Sequence, residues 1–516
     1  MEELLKRLQK HYGLSEEDLA VYLREPSFAY VPTIEGYDAT KSALRRIKDA
    51  LLSRERILIY GDYDTDGIMA TSILVRSFHL LRRNVSFFIP SRYKDGYGLS
   101  MENAKKIADS GYKLLICVDN GIASVDEISY LLSRGVNTIV IDHHEPLASL
   151  PPATAIIHDD TLHYGVCPVS AGYLSFLFSI CLLGRVDDYL LTLGAISTIS
   201  DMMPLKGHNR EIVRLALRNI KANNYPEISY LCDKSRIDEK TISMEIIPKI
   251  NAVGRMELEH KTNRLVHYFS DLENTRKSEI ADWMNTVNNA RKEATKAAFD
   301  KLEINPVDAG ICVVGNLPEG LNGLLANKLL NAYHKPTVVF SPSIADPSVY
   351  TGSLRSSEGF NVMKALDALS PYVVKGGGHA FAGGVSIKKK DFPAFKEEFL
   401  RDALEFKMEK KEKDLIPLSL SEVNLDSFRI IRSLAPYGME FEEPEFLIEN
   451  LPTDSFQYTR DSRFLSSPLG YGCKLLSFSF GKKDVNKPRM SLVGKFCLSE
   501  YKGKASLDFV CAPKEE

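Results

Sequence analysis

From residue 57 onward, short apolar runs alternate with amphipathic stretches of helical length. Ile57–Tyr60, Val85–Ile89, Leu114–Val118 and Thr138–Ile141 are rich in β-favouring residues and almost free of polar ones. A strand that reads as apolar throughout is buried on both faces. Repeats of this kind, at intervals of about 25 residues, therefore predict βαβ units with a parallel sheet between helical layers. The first fifty residues lack the repeat and read as a helical cap, with a turn at Glu25-Pro26-Ser27.

From Thr154 to Arg218 the pattern turns mostly helical, and Ser270 to Leu302 contains neither Gly nor Pro, as a long connecting helix requires. A second α/β region follows, with strands expected at Ala309–Val314, Thr337–Phe340 and Gly384–Ile387 and a helix at Gly323–Tyr333. The charge run KMEKKEKD at 407–414 reads as a solvated boundary. Beyond it LLSFSFG, MSLVGKFCL and ASLDFVCA alternate like strands of an all-β module. The expected organisation is a cap (1–50), a parallel-sheet α/β domain (51–215), a helical connector with the long helix (216–304), a smaller α/β domain (305–405) and a β module (415–516).

Composition fits this reading. At roughly 150 residues per domain, 516 residues make about three or four domains, and 44% hydrophobic with 26% charged residues is ordinary for a globular chain. The formal charge of −3 excludes binding of polyanions through bulk charge and leaves a local basic groove open. The longest nearly apolar stretch, Tyr173 to Leu183, is too short to span a bilayer. The charged start MEELLKRLQK lacks the order of a secretory signal, so a cytoplasmic location is expected. The eight cysteines are widely spaced, without a C-x-x-C pair, and read as reduced packing residues.

Candidate chemistry gathers at the ends of the predicted strands. Asp62, Asp64 and Asp66 of GDYDTDG follow the first strand, Asp119 of CVDNGI the third, and Asp142-His143-His144 the fourth. Each motif alone reads as a turn or a helix cap. Together they face one edge, because the carboxyl ends of parallel strands line a common crevice. Asp201 of ISDMMPL follows the apolar helical segment and is placed to close the cluster. So many carboxylates repel one another unless cations neutralise them, and oxygen ligands with one or two imidazoles suit manganese or magnesium. A shared carboxylate can hold two such ions about 3.5–4 Å apart for phosphoryl chemistry.

These motifs, in this order and spacing, resemble those of the DHH phosphoesterase superfamily. RYKDGYGL, PKINAVGRM, NNARK and KGGGHAFAGG resemble its RecJ branch of single-stranded-DNA exonucleases, and the resemblance covers about residues 55 to 390. It extends more weakly through LAPYGMEFEEPEF into the C-terminal module, which would then be OB-like. The resemblance implies that Asp64, Asp66, Asp119, His143 and Asp201 ligate two manganese or magnesium ions, with Asp119 as the bridge. It implies catalytic roles for His144, against the scissile phosphate, and for Asp62 and Asp142, the latter fixing the histidines. Arg92, Tyr97, Asn251, Arg255, Asn288, Ser353, Arg355, Gly377 and His379 would bind substrate, the arginines through a terminal 5′-phosphate.

The implied activity is 5′ to 3′ hydrolysis of single-stranded DNA in repair and recombination, with RNA as the other candidate polymer. A single-strand-binding protein or helicase would be the protein partner, with no role for a membrane. Two alternatives stand beside it: a phosphodiesterase for short oligonucleotides or cyclic dinucleotides, and a non-catalytic strand-binding scaffold. The chain departs from the RecJ pattern at Leu317-Pro318, where the family usually has Trp-His, and at His158-Asp159, where it often has Asn-Pro. The glycine-asparagine-proline string expected near the OB module is replaced after Gly438 by Met439-Glu440-Phe441.

Overall fold

The computed structural model describes residues 2–96, 98–162, 167–233, 236–256, 261–271, 276–305, 307–357, 359–404, 414–470, 472–485, 487–501 and 504–514. Helices α1 (Glu2–His11) and α2 (Glu16–Leu23) open the chain, and α3 (Asp38–Leu52) precedes the first strand. The chain forms two compact units, Phe28–Met203 with Gly207–Lys410, and Met1–Ser27 with Pro204–Lys206 and Lys411–Glu516. The first fifty residues are therefore not one cap. Leu4 and Leu8 of α1 are buried in the core of the C-terminal module, whereas α3 packs on the first sheet and its flanking helix.

In the larger unit, β1 (Ile57–Tyr60) is followed by α4 (Thr65–Leu80), β2 (Ser86–Phe88), α5 (Met101–Asp109) and β3 (Leu114–Val118). Then come α6 (Val125–Ser133), β4 (Asn137–Ile141) and β5 (Ala155–Ile157). The five strands are all parallel, in the order β2-β1-β3-β4-β5. β1, β3 and nearly all of β4 are buried residue by residue, as their unbroken apolar runs require. The chain steps outward from β1 to β2 and then crosses to β3, so a topological switch point lies between β1 and β3. Crevices at the carboxyl ends of such strands are where ligands bind.

Leu58, Tyr60, Leu115 and Val140 pack on α5 and α6 on one side of this sheet. On the other lies α4, buried along nearly its whole length beneath α7 (Ala171–Leu183) and α8 (Asp188–Ser200). The apolar run Tyr173 to Leu183 is thus a core helix. It leads through α9 (Gly207–Ala222), α10 (Ile247–Met256) and α11 (Asn263–Ser270) to the long helix α12 (Lys277–Lys301).

The second sheet of this unit is mixed, in the order β6-β7-β8-β10-β9. Its elements are β6 (Ile311–Val314), α13 (Asn322–Tyr333), β7 (Thr337–Pro342), β8 (Val349–Arg355), α14 (Val362–Ala368), β9 (Val373–Gly378), β10 (Ala382–Lys388) and α15 (Phe392–Leu404). The pattern predicts neither β8 nor β9. In VYTGSLR the alternation is broken by a glycine and an arginine, and in VVKGGG by three glycines. The glycine string is therefore not a tight turn but an edge strand, paired with the glycines of β10.

The smaller unit adds β11 (Ile416–Pro417), α16 (Leu425–Ser433), β12 (Phe446–Pro452), β13 (Leu465–Gly470), β14 (Cys473–Ser477), β15 (Arg489–Tyr501) and β16 (Lys504–Pro513). These strands form one sheet in the order β11-β12-β15-β16-β14-β13 around a core that includes Phe446, Phe480, Phe496 and Phe509. Among the described residues no helix is long and apolar enough to cross a membrane.

Candidate functional site

The residues after β1, β3 and β4 meet at the switch point. Asp64 caps α4 by accepting the Gly67 N–H at 3.1 Å. Asp66, in the first turn of the helix, points into the core and accepts from Ala171 N (2.9 Å), Gly172 N (2.8 Å) and Ser197 Oγ (2.5 Å). Those amides are the first donors of the α7 N-terminus, without partners inside the helix, and such an end favours a carboxylate. A Cβ on Gly172 would stand 2.5 Å from Ser197 Cβ and 3.1 Å from Asp66 Oδ1, so only glycine admits the carboxylate. Asp119 directly follows β3 with φ of +60° and donates its N–H to Ile141 O at 2.9 Å.

Three donor groups result: Asp62 with Asp64 and Asp119, Asp66 with His143 and Asp201, and Asp119 with His143 and His144. In each, one atom per residue lies within 4.8 Å of the others. His143 Nε2 stands 3.5 Å from Asp66, 3.3 Å from Asp119 and 3.4 Å from Asp201. Asp119 and His143 each belong to two groups, and Asp62, expected as a catalytic residue beside the metal, is grouped with the ligand candidates.

Burial first, and then neighbouring carboxylates, push the carboxyls of Asp62 and Asp119 well above their usual range. The same causes push Asp201 up to about 8. Asp62 Oδ1 and Asp119 Oδ1 are buried without a hydrogen-bond partner. Such a set is stable only when protonated or neutralised, and its oxygen and imidazole donors fit hard divalent cations.

Asp142 differs. It accepts the N–H groups of Ile122 (3.0 Å), His143 (2.8 Å) and His144 (3.3 Å), and sits 2.7 Å from His144 Nδ1. Burial is the largest single influence and opposes ionisation of both partners, but this hydrogen bond, the mutual attraction of the two charges and the other neighbouring groups together outweigh it. Asp142 is held below its usual range and His144 is pushed up to about 9. His158, which the sequence reading noted only as a departure, makes a 2.8 Å hydrogen bond through Nε2 to the carbonyl of His144.

A second cluster has the opposite charge. Burial and then the charge of Arg92, with smaller effects of Arg291 and Arg355 and against the opposing pull of Asp64, push Arg255 down to about 10. Among the described residues none of these four arginines forms an ion pair. Arg92 Nε and Arg291 Nε are buried without hydrogen-bond partners, as is Asn288 Oδ1, one turn before Arg291 on α12. Arg291 was missed in the sequence, although it stands in the NNARK string; nothing local distinguishes it from a solvated helix arginine. Glu319, within electrostatic reach of Arg92, has its carboxyl pushed up by burial.

The other expected contacts fall into three classes. Arg355 lies over the start of α13, its Nη2 2.7 Å from where a Cβ on Gly323 would stand. Ser353, Gly384 and Gly377 share one row across β8, β10 and β9, so Gly377 is on the face of Ser353 and Arg355. His379 is exposed at the end of that hairpin, its N–H bonded to Ala382 O at 2.7 Å. Asn251 is engaged elsewhere: its Oδ1 accepts both Thr65 N and Thr65 Oγ1 at 2.9 Å, tying α10 to the acidic loop. Tyr97 lies outside the described residues.

Comparison with known proteins finds matches over most of the chain. The N-terminal domain of the DHH family matches residues 56–174, the DHHA1 domain 311–406 and the RecJ OB domain 416–512. The single-stranded-DNA-specific exonuclease RecJ of Bacillus subtilis is 29% identical over 90% of this chain and 62% of its own length. That of Haemophilus influenzae is 26% identical over 91% of this chain and 89% of its own. The chain thus spans less than two thirds of the first relative. The crystal structure of RecJ in complex with Mn2+ from Thermus thermophilus superposes with a TM-score of 0.84 at 24% identity, over 99% of this chain and 76% of that one.

Proposed function

Because the chain belongs to the DHH family and carries the RecJ set of domains, we propose that it is a metal-dependent exonuclease degrading single-stranded DNA from the 5′ end, in repair and recombination. The observation that carries this reading is the pair of clusters of opposite charge within one unit, each with buried polar atoms that lack a hydrogen-bond partner. Buried carboxylates call for cations, and unpaired guanidiniums call for an anion. A nucleic-acid strand with a terminal phosphate satisfies the second while presenting a phosphodiester to the first.

Asp62, Asp64 and Asp119 would hold one ion, and Asp66, His143 and Asp201 the other, with Asp119 between them. When bound, two such ions activate water and stabilise charge on the phosphoryl group. His144, protonated at neutral pH by its bond to Asp142, binds a phosphoryl oxygen or delivers a proton to the leaving oxygen. Arg92, Arg255, Arg291 and Arg355 bind the terminal phosphate, Arg through its planar donor fork, and the bare row Gly377-Gly384 beside Ser353 lets the strand approach the backbone. A non-catalytic scaffold has no use for a complete carboxylate set. The exposed Phe478 of the smaller unit offers a stacking surface for longer strands.

Degradation of 5′- and 3′-labelled strands tests the reading, using DNA and RNA, single and double, linear and circular, with manganese or magnesium. Release of nucleotides from the 5′ end of linear single strands is expected. Equal rates on circular and linear strands would overturn the exonuclease assignment.

A further inference from the structure

Resting on that proposed function, we infer that Tyr63 is a specificity-determining residue, which fixes the interval between the end-phosphate arginines and the acidic cluster. Tyr63 stands between Asp62 and Asp64, and its side chain and backbone are used in different directions. The Arg92 guanidinium lies over its ring, 4.6 Å from the centroid. Arg92 Nε is buried without a hydrogen-bond partner, and among the described residues no carboxylate pairs with the group. The ring face is therefore what orients it, through attraction between the cation and the ring quadrupole in a desolvated setting.

The Tyr63 carbonyl faces α10 at Gly254, where a Cβ would come within 2.6 Å of it. The bare glycine lets the helix close onto the acidic loop. The next residue is Arg255, whose carbonyl accepts the Tyr93 hydroxyl, and Tyr93 adjoins Arg92 in the chain. Tyr63, Arg92, Tyr93, Arg255 and Gly254 thus form a closed circuit of stacking, covalent, hydrogen-bonded and van der Waals links. Asn251 locks the same helix to Thr65, immediately before Asp66.

Two arginines are consequently held at a set separation from two carboxylates that flank one tyrosine. A strand seated by its terminal phosphate then presents a particular phosphodiester to the carboxylates, and the circuit decides which one. Loss of the ring releases Arg92 without removing any carboxylate or imidazole. The consequence is poorer recognition of the phosphorylated end and a less uniform cut position, with metal binding intact.

The test compares 5′-phosphorylated and 5′-hydroxyl oligonucleotides of one sequence with wild type, Tyr63→Phe, Tyr63→Leu, Tyr63→Met and Arg92→Lys, reading KM, kcat and product length, with manganese affinity measured by calorimetry. Tyr63→Phe keeps the aromatic face and should retain the wild-type preference. Tyr63→Leu should raise KM for the phosphorylated strand by about tenfold, the scale of a desolvated cation–π contact, and broaden product length at unchanged manganese affinity. Arg92→Lys, which keeps the charge but loses both the planar stack and the phosphate-binding fork, should show the same changes, and Tyr63→Met, which also removes the ring, decides the matter if the leucine variant does not fold. A wild type indifferent to the 5′-phosphate would overturn the end-recognition reading itself. A wild type with that preference, matched by Tyr63→Leu or Tyr63→Met, would overturn the role of Tyr63 alone.

Discussion

Asp119 Oδ1 stands 3.3 Å from His143 Nε2, across the ends of two neighbouring parallel strands. The Asp119 backbone is left-handed to bring it there, with φ of +60°, a conformation that costs about 1–3 kcal/mol in a non-glycine residue. With its carboxyl buried among Asp62, Asp64 and Asp66, this position is unfavourable without a counter-charge. Asp119→Asn should therefore lower hydrolysis at least about a hundredfold, the scale of losing a main electrostatic stabiliser. It should also raise the melting temperature of the metal-free protein near pH 8. Lower stability in chelator would show that the carboxylate is structural.

The pH response of the metal-free protein follows from the same groups. Asp62, Asp119 and Asp201 have folded-state carboxyls raised above the ordinary value, Asp201 from 3.8 to about 8. Their contribution to stability is complete below the unfolded value and is lost as pH rises through the folded one. Thermal melts in chelator should thus show stability falling between about pH 5 and pH 8. Manganese should raise the melting temperature more at pH 8 than at pH 6, with protons released on binding.

Gly172→Ala tests the seat of Asp66. The added methyl would meet Ser197 and Asp66 at 2.5 and 3.1 Å, and overpacking of this kind costs about 1–3 kcal/mol. Weaker manganese binding should accompany the loss of stability. A destabilised variant with normal metal affinity would show that Asp66 is not a ligand.

His158 supports the carbonyl of His144 at 2.8 Å. His158→Ala should lower kcat while leaving KM nearly unchanged, and His158→Asn, which keeps a donor, should recover most of it. Equal kcat in both variants would remove His158 from the account.

The aromatic residues of the smaller unit divide by burial, which their alternation in the sequence does not reveal. Phe480 and Phe496 are core, whereas Phe478 is 65% exposed against Phe464; Tyr471 lies outside the described residues. Phe496→Ala should destabilise the unit by about 3–5 kcal/mol. Phe478→Ala should leave stability alone and weaken binding of long single strands by about fivefold or more, as loss of one stacking platform does. Unchanged affinity would assign the surface to another partner.

What could be read in the sequence was what is local and repeated. Ile57–Tyr60 and Leu114–Val118 are strands in place, because a strand buried on both faces has no polar position to blur its bounds. Their carboxylates converge because parallel strands end on one edge. β8 and β9 escaped because their runs, VYTGSLR and VVKGGG, carry glycine, arginine and lysine where alternation would show. Arg291, His158 and the second use of Asn251 were illegible for another reason. Each takes its meaning from the three-dimensional setting, such as Thr65 for Asn251, 186 positions earlier.

The most direct test of the central claim is the number of divalent ions bound per chain. Calorimetric titration of chelator-treated protein with manganese at pH 8 should give two ions per chain for the wild type. Asp119→Asn, which removes the shared ligand, should bind both far more weakly. One ion or none in an active wild type, or two bound with unchanged affinity in Asp119→Asn, would contradict the shared-carboxylate, two-ion centre.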